Sequence, residues 1–345
     1  SPPPVEAAMF RRPAALLSVL ALALTGCGAK VASDDAADRK DAAGYPVTVK
    51  NCGTSLTFDR KPSRVVTNDV GITDLMLALG LEDRMAGYVM PSYRGRIDQV
   101  AWRDAYDKVP WLSKKAITKE IALDAHADLV LAGWNYGFGE GNDLTPASLK
   151  KLGIGAYVLT ESCRNGGSGS ARGVMPPLEA LYTDLANLGK IFHVEDRAAK
   201  LVKEYRAQIA EVRAAHAADG KKPSVFLYDS GTDKPLTAGA FAGPDDIITK
   251  AGGVNITKDL KDTWTTVGWE TVVERDPDVI VINDYGSPTA AQKKDFLLHY
   301  KPLAHVSAVK HRRIFTLDYA DLVESPRNPA AVRSLARYLA AGRAD

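Results

Sequence analysis

The sequence predicts an α/β protein of two lobes, each with a mainly parallel central sheet, joined by one long α-helix. Three observations predict it. Short apolar runs such as residues 127–133 (ADLVLAG) and 279–283 (VIVIN) are bounded by turn residues and alternate with helical patterns, as buried parallel strands do. These runs lie on both sides of residues 195–218, a stretch without Gly or Pro. In that stretch Ala198, Leu201, Val202, Tyr205, Ile209 and Val212 recur at helical spacing, and Lys200, Lys203, Glu204, Arg206 and Glu211 fall elsewhere on the wheel. At about 1.5 Å per residue such a helix is a rod roughly 35 Å long. A rigid rod between two similar lobes puts function in the cleft between them.

Residues 1–27 read as a leader. SPPPVEAA precedes Met9 and is set aside from fold reasoning. Arg11 and Arg12 then supply a positive region and residues 14–24 (AALLSVLALAL) an apolar core, too short to span a bilayer comfortably. The core ends in Leu24-Thr25-Gly26-Cys27, which resembles a bacterial lipobox and makes Cys27 the expected lipidation site. Residues 28–44 have no apolar period and many charges, so they read as a flexible tether. The expectation is a protein at the cell surface or in the periplasm, anchored to the membrane by lipid. In that compartment Cys52 and Cys163 are expected to form a disulfide. The formal net charge of +2 leaves no nucleic-acid footprint.

The N-terminal lobe is expected over residues 45–176. Residues 45–58 read as short strands with a turn at Asn51-Cys52-Gly53, and residues 64–67 and 85–89 as strands around a helix at 73–79 that stops at Gly80. Residues 127–133 and 156–160 complete the set. The glycines of residues 137–141 do not fit G-x-G-x-x-G, and Thr145-Pro146 explains the next helix as a cap and first turn. Aromatic and arginine side chains follow two strands: Tyr88, Tyr93, Arg94, Arg96 and Trp102 after one, Trp134, Tyr136 and Phe138 after the other. Ligands of open α/β sheets bind at such strand ends, and this mixture suits a flat or metal-chelating anion. A helical linker is expected over 177–220, with a helix at 178–188 closed by Gly189 before the rod.

The C-terminal lobe, 221–345, is expected to hold strands at 225–228, 279–283 and 314–317 and a last helix at 329–340. One correspondence links the lobes. Glu120 lies eight residues before Asp128, and Glu270 eight before Asp278. Each glutamate opens a short helix that runs into a buried strand, where the helix dipole favours it.

Several short motifs carry a resemblance. They are KPSRVV at 61–66, LGLEDR at 79–84, ADLV at 127–130, LTAG at 236–239, AGGVNI at 251–256 and DPDVI at 276–280. In this order, with the lipobox and the long helix, the chain resembles periplasmic binding proteins with a helical backbone hinge, which capture ferric siderophores, haem or cobalamin for ABC importers. The resemblance covers essentially everything after Tyr45. It implies a monomer that captures a ferric siderophore and delivers it to a permease and its ATPase. Iron then arrives only as part of a bound chelate, and no intrinsic cofactor or protein-held metal is expected. It also implies that Glu120 and Glu270 dock to permease arginines. Ligand contacts are expected from Tyr88, Tyr93, Arg94, Trp134 and Tyr136 in the first lobe and Trp264, Tyr285, Tyr319 and Arg327 in the second.

Cobalamin, haem or another bulky cofactor-like solute is the alternative cargo. The six histidines have no partner at helix spacing, which speaks against a bare transition metal. A secreted enzyme acting on such a ligand is the reading from a different class. The sequence has no G-x-S-x-G and no H-E-x-x-H, and a turn explains Asp229-Ser230. No catalytic residue is expected.

Overall fold

The computed structural model describes residues 41–90, 93–164, 175–216 and 220–342. The leader, Cys27, most of the tether and most of the glycine-rich 164–173 loop lie outside the described residues.

The body opens with a hairpin of β1 (Val47–Asn51) and β2 (Thr54–Phe58). Its two loop residues, Cys52 and Gly53, both have positive φ, 48° and 75°, the backbone that a type I′ turn needs. Cys52 is bridged to Cys163, with Cα atoms 5.3 Å apart. Beside it, Asn51 mimics a strand partner: its Nδ2 donates to Val158 O at 2.7 Å and its Oδ1 accepts from Val158 N at 2.9 Å. The hairpin is thereby fixed to the edge of the first lobe.

The first-lobe sheet contains β3 (Val65–Asn68), β4 (Met85–Val89), β5 (Trp111–Ser113), β6 (Leu129–Trp134), β7 (Gly137–Phe138) and β8 (Gly155–Val158). They run in the order 5-4-3-6-7, with β8 also on β6, and every pairing is parallel. The connections include α1 (Val70–Ala78), α2 (Lys119–Asp124) and α3 (Pro146–Lys151). Thr145 caps α3 as its sequence predicts, its hydroxyl accepting from Ser148 N. The chain runs outward from β3 through β4 to β5, then returns to the other side of β3 for β6. The topological switch point therefore lies between β3 and β6.

Next comes α4 (Pro177–Phe192), followed by the rod, α5 (Glu195–His216). The sequence expectation that the first of these ends at Gly189 is corrected. The helix continues to Phe192 and stops at His193, in the left-handed conformation. Gly189 is a packing residue: a Cβ there would lie 2.8 Å from Ala198 Cβ on α5. Along the rod Ala198, Tyr205 and Val212 are buried, and Leu201, Val202 and Ile209 pack against the same core.

The second lobe follows with β9 (Ser224–Tyr228), β10 (Leu236–Ala238), α6 (Gly243–Lys250), β11 (Val254–Asn255), β12 (Trp264–Thr266) and α7 (Trp269–Arg275). Then come β13 (Val279–Asp284), α8 (Ala290–His299), α9 (Ser307–Lys310), β14 (Ile314–Asp318), α10 (Tyr319–Leu322) and α11 (Asn328–Ala341). Its parallel sheet has the order 11-9-13-14, so its switch point lies between β9 and β13. Strands β10 and β12 form a separate antiparallel pair.

The lobes share one core. A single cluster of buried side chains runs from Val65 and Leu75 through Tyr205 and Val212 to Val225 and Leu335. Each fully buried aliphatic side chain in it contributes about 1.5–3 kcal/mol. Separating the lobes widely would expose that cluster, so the hinge helix resists wide opening.

Candidate ligand-binding cleft

The carboxyl ends of both parallel sheets face one cavity of about 500 Å³ between the lobes. Its walls come from residues just beyond the strands. Asn68 and Asp69 follow or end β3, and Asn135 and Tyr136 follow β6. On the other side Asp229 follows β9, Tyr285 follows β13, and Asp318 and Tyr319 follow or end β14. Both switch points thus open onto the cavity, which is where open α/β sheets leave a crevice for ligands. Trp264 enters from β12 and Tyr93 from the segment after β4.

Five of the predicted contacts, Tyr93, Tyr136, Trp264, Tyr285 and Tyr319, are brought together here, each half-buried. The other four do not line this cavity. Tyr88 is 1% exposed inside β4, stacked on Trp111 and edge-on to Tyr106. Arg94 lies over the Trp111 ring at 4.5 Å and donates to the Tyr88 hydroxyl at 3.1 Å. Trp134 packs on Phe138, with the Arg164 guanidinium 3.6 Å from its ring centroid. Arg327 is buried, and its Nε donates to Asp74 at 2.6 Å. Its partner belongs to α1, so this arginine ties the lobes together.

The tyrosines are held by carboxyl groups from the opposite lobe. Tyr319 Oη donates to Asp69 Oδ2 at 2.9 Å, and Tyr93 Oη to Asp318 Oδ1 at 2.9 Å. Asp318 also accepts from Arg96 N at 2.8 Å and Arg96 Nε at 3.0 Å. Burial, followed by the nearby carboxylates, pushes the Tyr93 and Tyr319 phenols up. Burial likewise raises the Asp69 carboxyl, while its bond from Val70 N holds it back. The second lobe adds Asp229, which accepts from Asn283 Nδ2 at 2.6 Å and Ser230 Oγ at 2.9 Å.

Asp69 and Asp318 were not among the predicted contacts, and the turn reading of Asp229 gave it no cleft role. A signal for all three exists in the sequence: each is the last or next residue of an apolar strand run, VVTND, VFLYD or IFTLD.

Glu120 and Glu270 lie away from this cavity, exposed in the first turns of α2 and α7. The Glu120 carboxyl is lowered chiefly by its own backbone N–H and then by Thr118. The Glu270 carboxylate folds over Gly268, the cap of α7, where a Cβ would lie 1.9 Å from Oε1. Each glutamate therefore sits over the positive end of its own helix.

A model of the periplasmic binding protein family matches residues 65–320. The chain is 23% identical to the uncharacterized ABC transporter substrate-binding lipoprotein YvrC of Bacillus subtilis (strain 168), covering 94% of this chain and 95% of that protein. It is 26% identical to a cobalamin-binding protein of Halobacterium salinarum (strain ATCC 29341 / DSM 671 / R1), covering 79% of this chain and 69% of that one. A crystal structure of a periplasmic binding protein from Veillonella parvula DSM 2008 superposes with a TM-score of 0.71 at 24% identity, covering 85% of this chain and 97% of its own. With two lobes, a cleft at paired switch points and a family match over most of its body, the chain belongs to the periplasmic binding proteins, substrate-binding partners of ABC transporters rather than enzymes.

Proposed function

We propose that this chain captures a ferric siderophore in the inter-lobe cavity and delivers it to an ABC permease and its ATPase, held at the membrane by a lipid on Cys27. One observation carries the reading: five half-buried aromatic side chains from both lobes converge on a cavity of about 500 Å³. That volume lies within the roughly 300–1,000 Å³ of small-molecule sites. Aromatic walls give large contact area to a bulky chelate and lose little side-chain entropy. Tyr93, Tyr136, Trp264, Tyr285 and Tyr319 would contact it, with Tyr88, Arg94, Trp134 and Arg327 supporting the walls from behind. Iron belongs to the cargo and not to the protein. Glu120 and Glu270, one exposed carboxylate per lobe, suit a two-point contact with cationic side chains of the permease, where charge pairs set register.

Tryptophan fluorescence tests the reading, since Trp264 lines the cavity. The protein is titrated with iron-loaded and iron-free siderophores, cobalamin and haem, with absorbance controls. Saturable one-to-one quenching by an iron-loaded siderophore supports it. A response to cobalamin or haem alone keeps the family role and replaces the cargo.

A further inference from the structure

We propose that the cleft selects a cargo without net negative charge, taking ferric tris-hydroxamates in preference to tris-catecholates and haem. The proposal rests on the capture of an iron chelate in this cavity and adds the class of chelate.

The walls carry Asp69, Asp229 and Asp318, and among the described residues that line the cavity there is no Lys, Arg or His. The nearby cations stand behind the walls and are committed. Arg96 is bonded to Asp318 and reaches Asp321 at 3.4 Å. Arg327 is paired with Asp74. Lys293 is 3% exposed, donates to Asn283 O at 2.7 Å and lies 3.6 Å from the Tyr285 ring centroid. Arg94 lies over the Trp111 ring and donates to the Tyr88 hydroxyl, and Asp74, Asp284 and Asp321 stand behind the walls as well. Burial raises the Asp69 and Asp321 carboxyls, and the cavity surface itself still presents acidic side chains and no cation among the described lining residues.

The charge of each chelate decides the outcome. A hydroxamate binds Fe³⁺ as a monoanion, so three of them make a neutral centre, and a pendant ammonium makes the whole cationic. A catecholate binds as a dianion, so three leave the centre with three negative charges. Haem brings two propionates and uses an axial ligand such as a tyrosinate. The hydroxyls of Tyr93 and Tyr319 are bonded to Asp318 and Asp69, and neighbouring carboxylates oppose loss of a phenolic proton. Asp229 accepts from the neutral Asn283 and Ser230 and lines the cavity, where a cationic group of the cargo can reach it. The surrounding Tyr and Trp rings attract cations through their faces.

The test is a fluorescence titration of the full chain with four compounds. Ferrioxamine B is an ammonium-bearing tris-hydroxamate, ferrichrome a neutral one, ferric enterobactin a tris-catecholate, and haem the fourth. Both hydroxamates are expected to saturate one-to-one, at least about tenfold more tightly than the anionic pair. Asp229→Asn is expected to weaken ferrioxamine B about five- to tenfold and ferrichrome less than about twofold. Tighter binding of ferric enterobactin than of both hydroxamates overturns the charge rule and leaves siderophore capture standing. Binding of haem alone overturns both.

Discussion

Arg327 Nε of the second lobe donates to Asp74 Oδ2 of the first at 2.6 Å, with side chains 4% and 0% exposed. Asp74 is also the acceptor for Trp102 Nε1 at 2.8 Å and Tyr106 Oη at 2.5 Å, so one buried carboxylate collects three donors from two segments far apart in sequence. Around it lie further inter-lobe bonds: Arg96 and Tyr93 to Asp318, Tyr319 to Asp69, and Glu161 N to Glu324 Oε2. The two lobes are thus held together by buried polar contacts as well as by a shared apolar core.

Arg327→Ala would leave the Asp74 carboxyl buried without its cationic partner. Breaking such a pair costs about 3–5 kcal/mol. Urea unfolding of the variant should show a loss of this size. A loss under about 1 kcal/mol would mean that the pair holds nothing together, because exposed pairs fall in that range.

The Cys52–Cys163 bridge spans a sequence separation of 111. Closing a loop of that length restrains the unfolded chain, and removing a native bridge typically costs about 2–5 kcal/mol. Cys52→Ser with Cys163→Ser should lower stability by that amount while cargo affinity stays within about twofold, since neither cysteine lines the cleft. Equal stability with and without reductant in the parent protein would argue against the bridge in solution.

The architecture was legible because it rests on local periodicity. Residues 127–133 announce β6, and the Gly- and Pro-free run from 195 announces α5. Properties set by distant partners were not. Gly189 looks like a helix stop until Ala198 is seen against it. Arg327 looks like a ligand contact until Asp74, 253 residues earlier, takes its guanidinium. Tyr88 has the right composition but sits within β4, where its ring turns into the core. The five residues that do reach the cleft lie beyond strand ends or on the short β12 ladder, and the aspartates beside them follow the same strand-end rule.

Asp321 gives a pH dependence with a definite sign. Burial, followed by Asp318 beside it, raises its carboxyl from 3.8 to about 6. The folded chain holds this proton more tightly than the unfolded chain does. Its contribution to stability is complete below about pH 4 and is lost as pH rises through about 6. The loss is of the order of 3 kcal/mol. Asp321→Asn keeps an acceptor for Asp318 N and removes the charge. It should be neutral at pH 4 and stabilising by about 1–3 kcal/mol at pH 7.5. The same difference at both pH values would exclude titration of this group as the cause.

Glu120 and Glu270 can be separated from the cleft by experiment because they lie outside it. Each is an exposed residue in the first turn of a helix that leads towards a central strand of its own lobe, and neither lines the cavity. Replacing either by Ala should slow delivery to the permease, since loss of one charge pair at an interface costs about 2–5 kcal/mol when the pair is buried there. Replacing both should abolish uptake by cells that carry the transporter. Cargo affinity of the purified double variant should remain within about twofold of the parent. Charge reversal sharpens the test: Glu120→Lys with Glu270→Lys should repel a cationic permease surface, and raising salt should recover little, because the favourable pairs are gone as well. Normal uptake by the double alanine variant would remove both residues from docking. Loss of cargo binding in the purified variant would show that they act on the cleft instead.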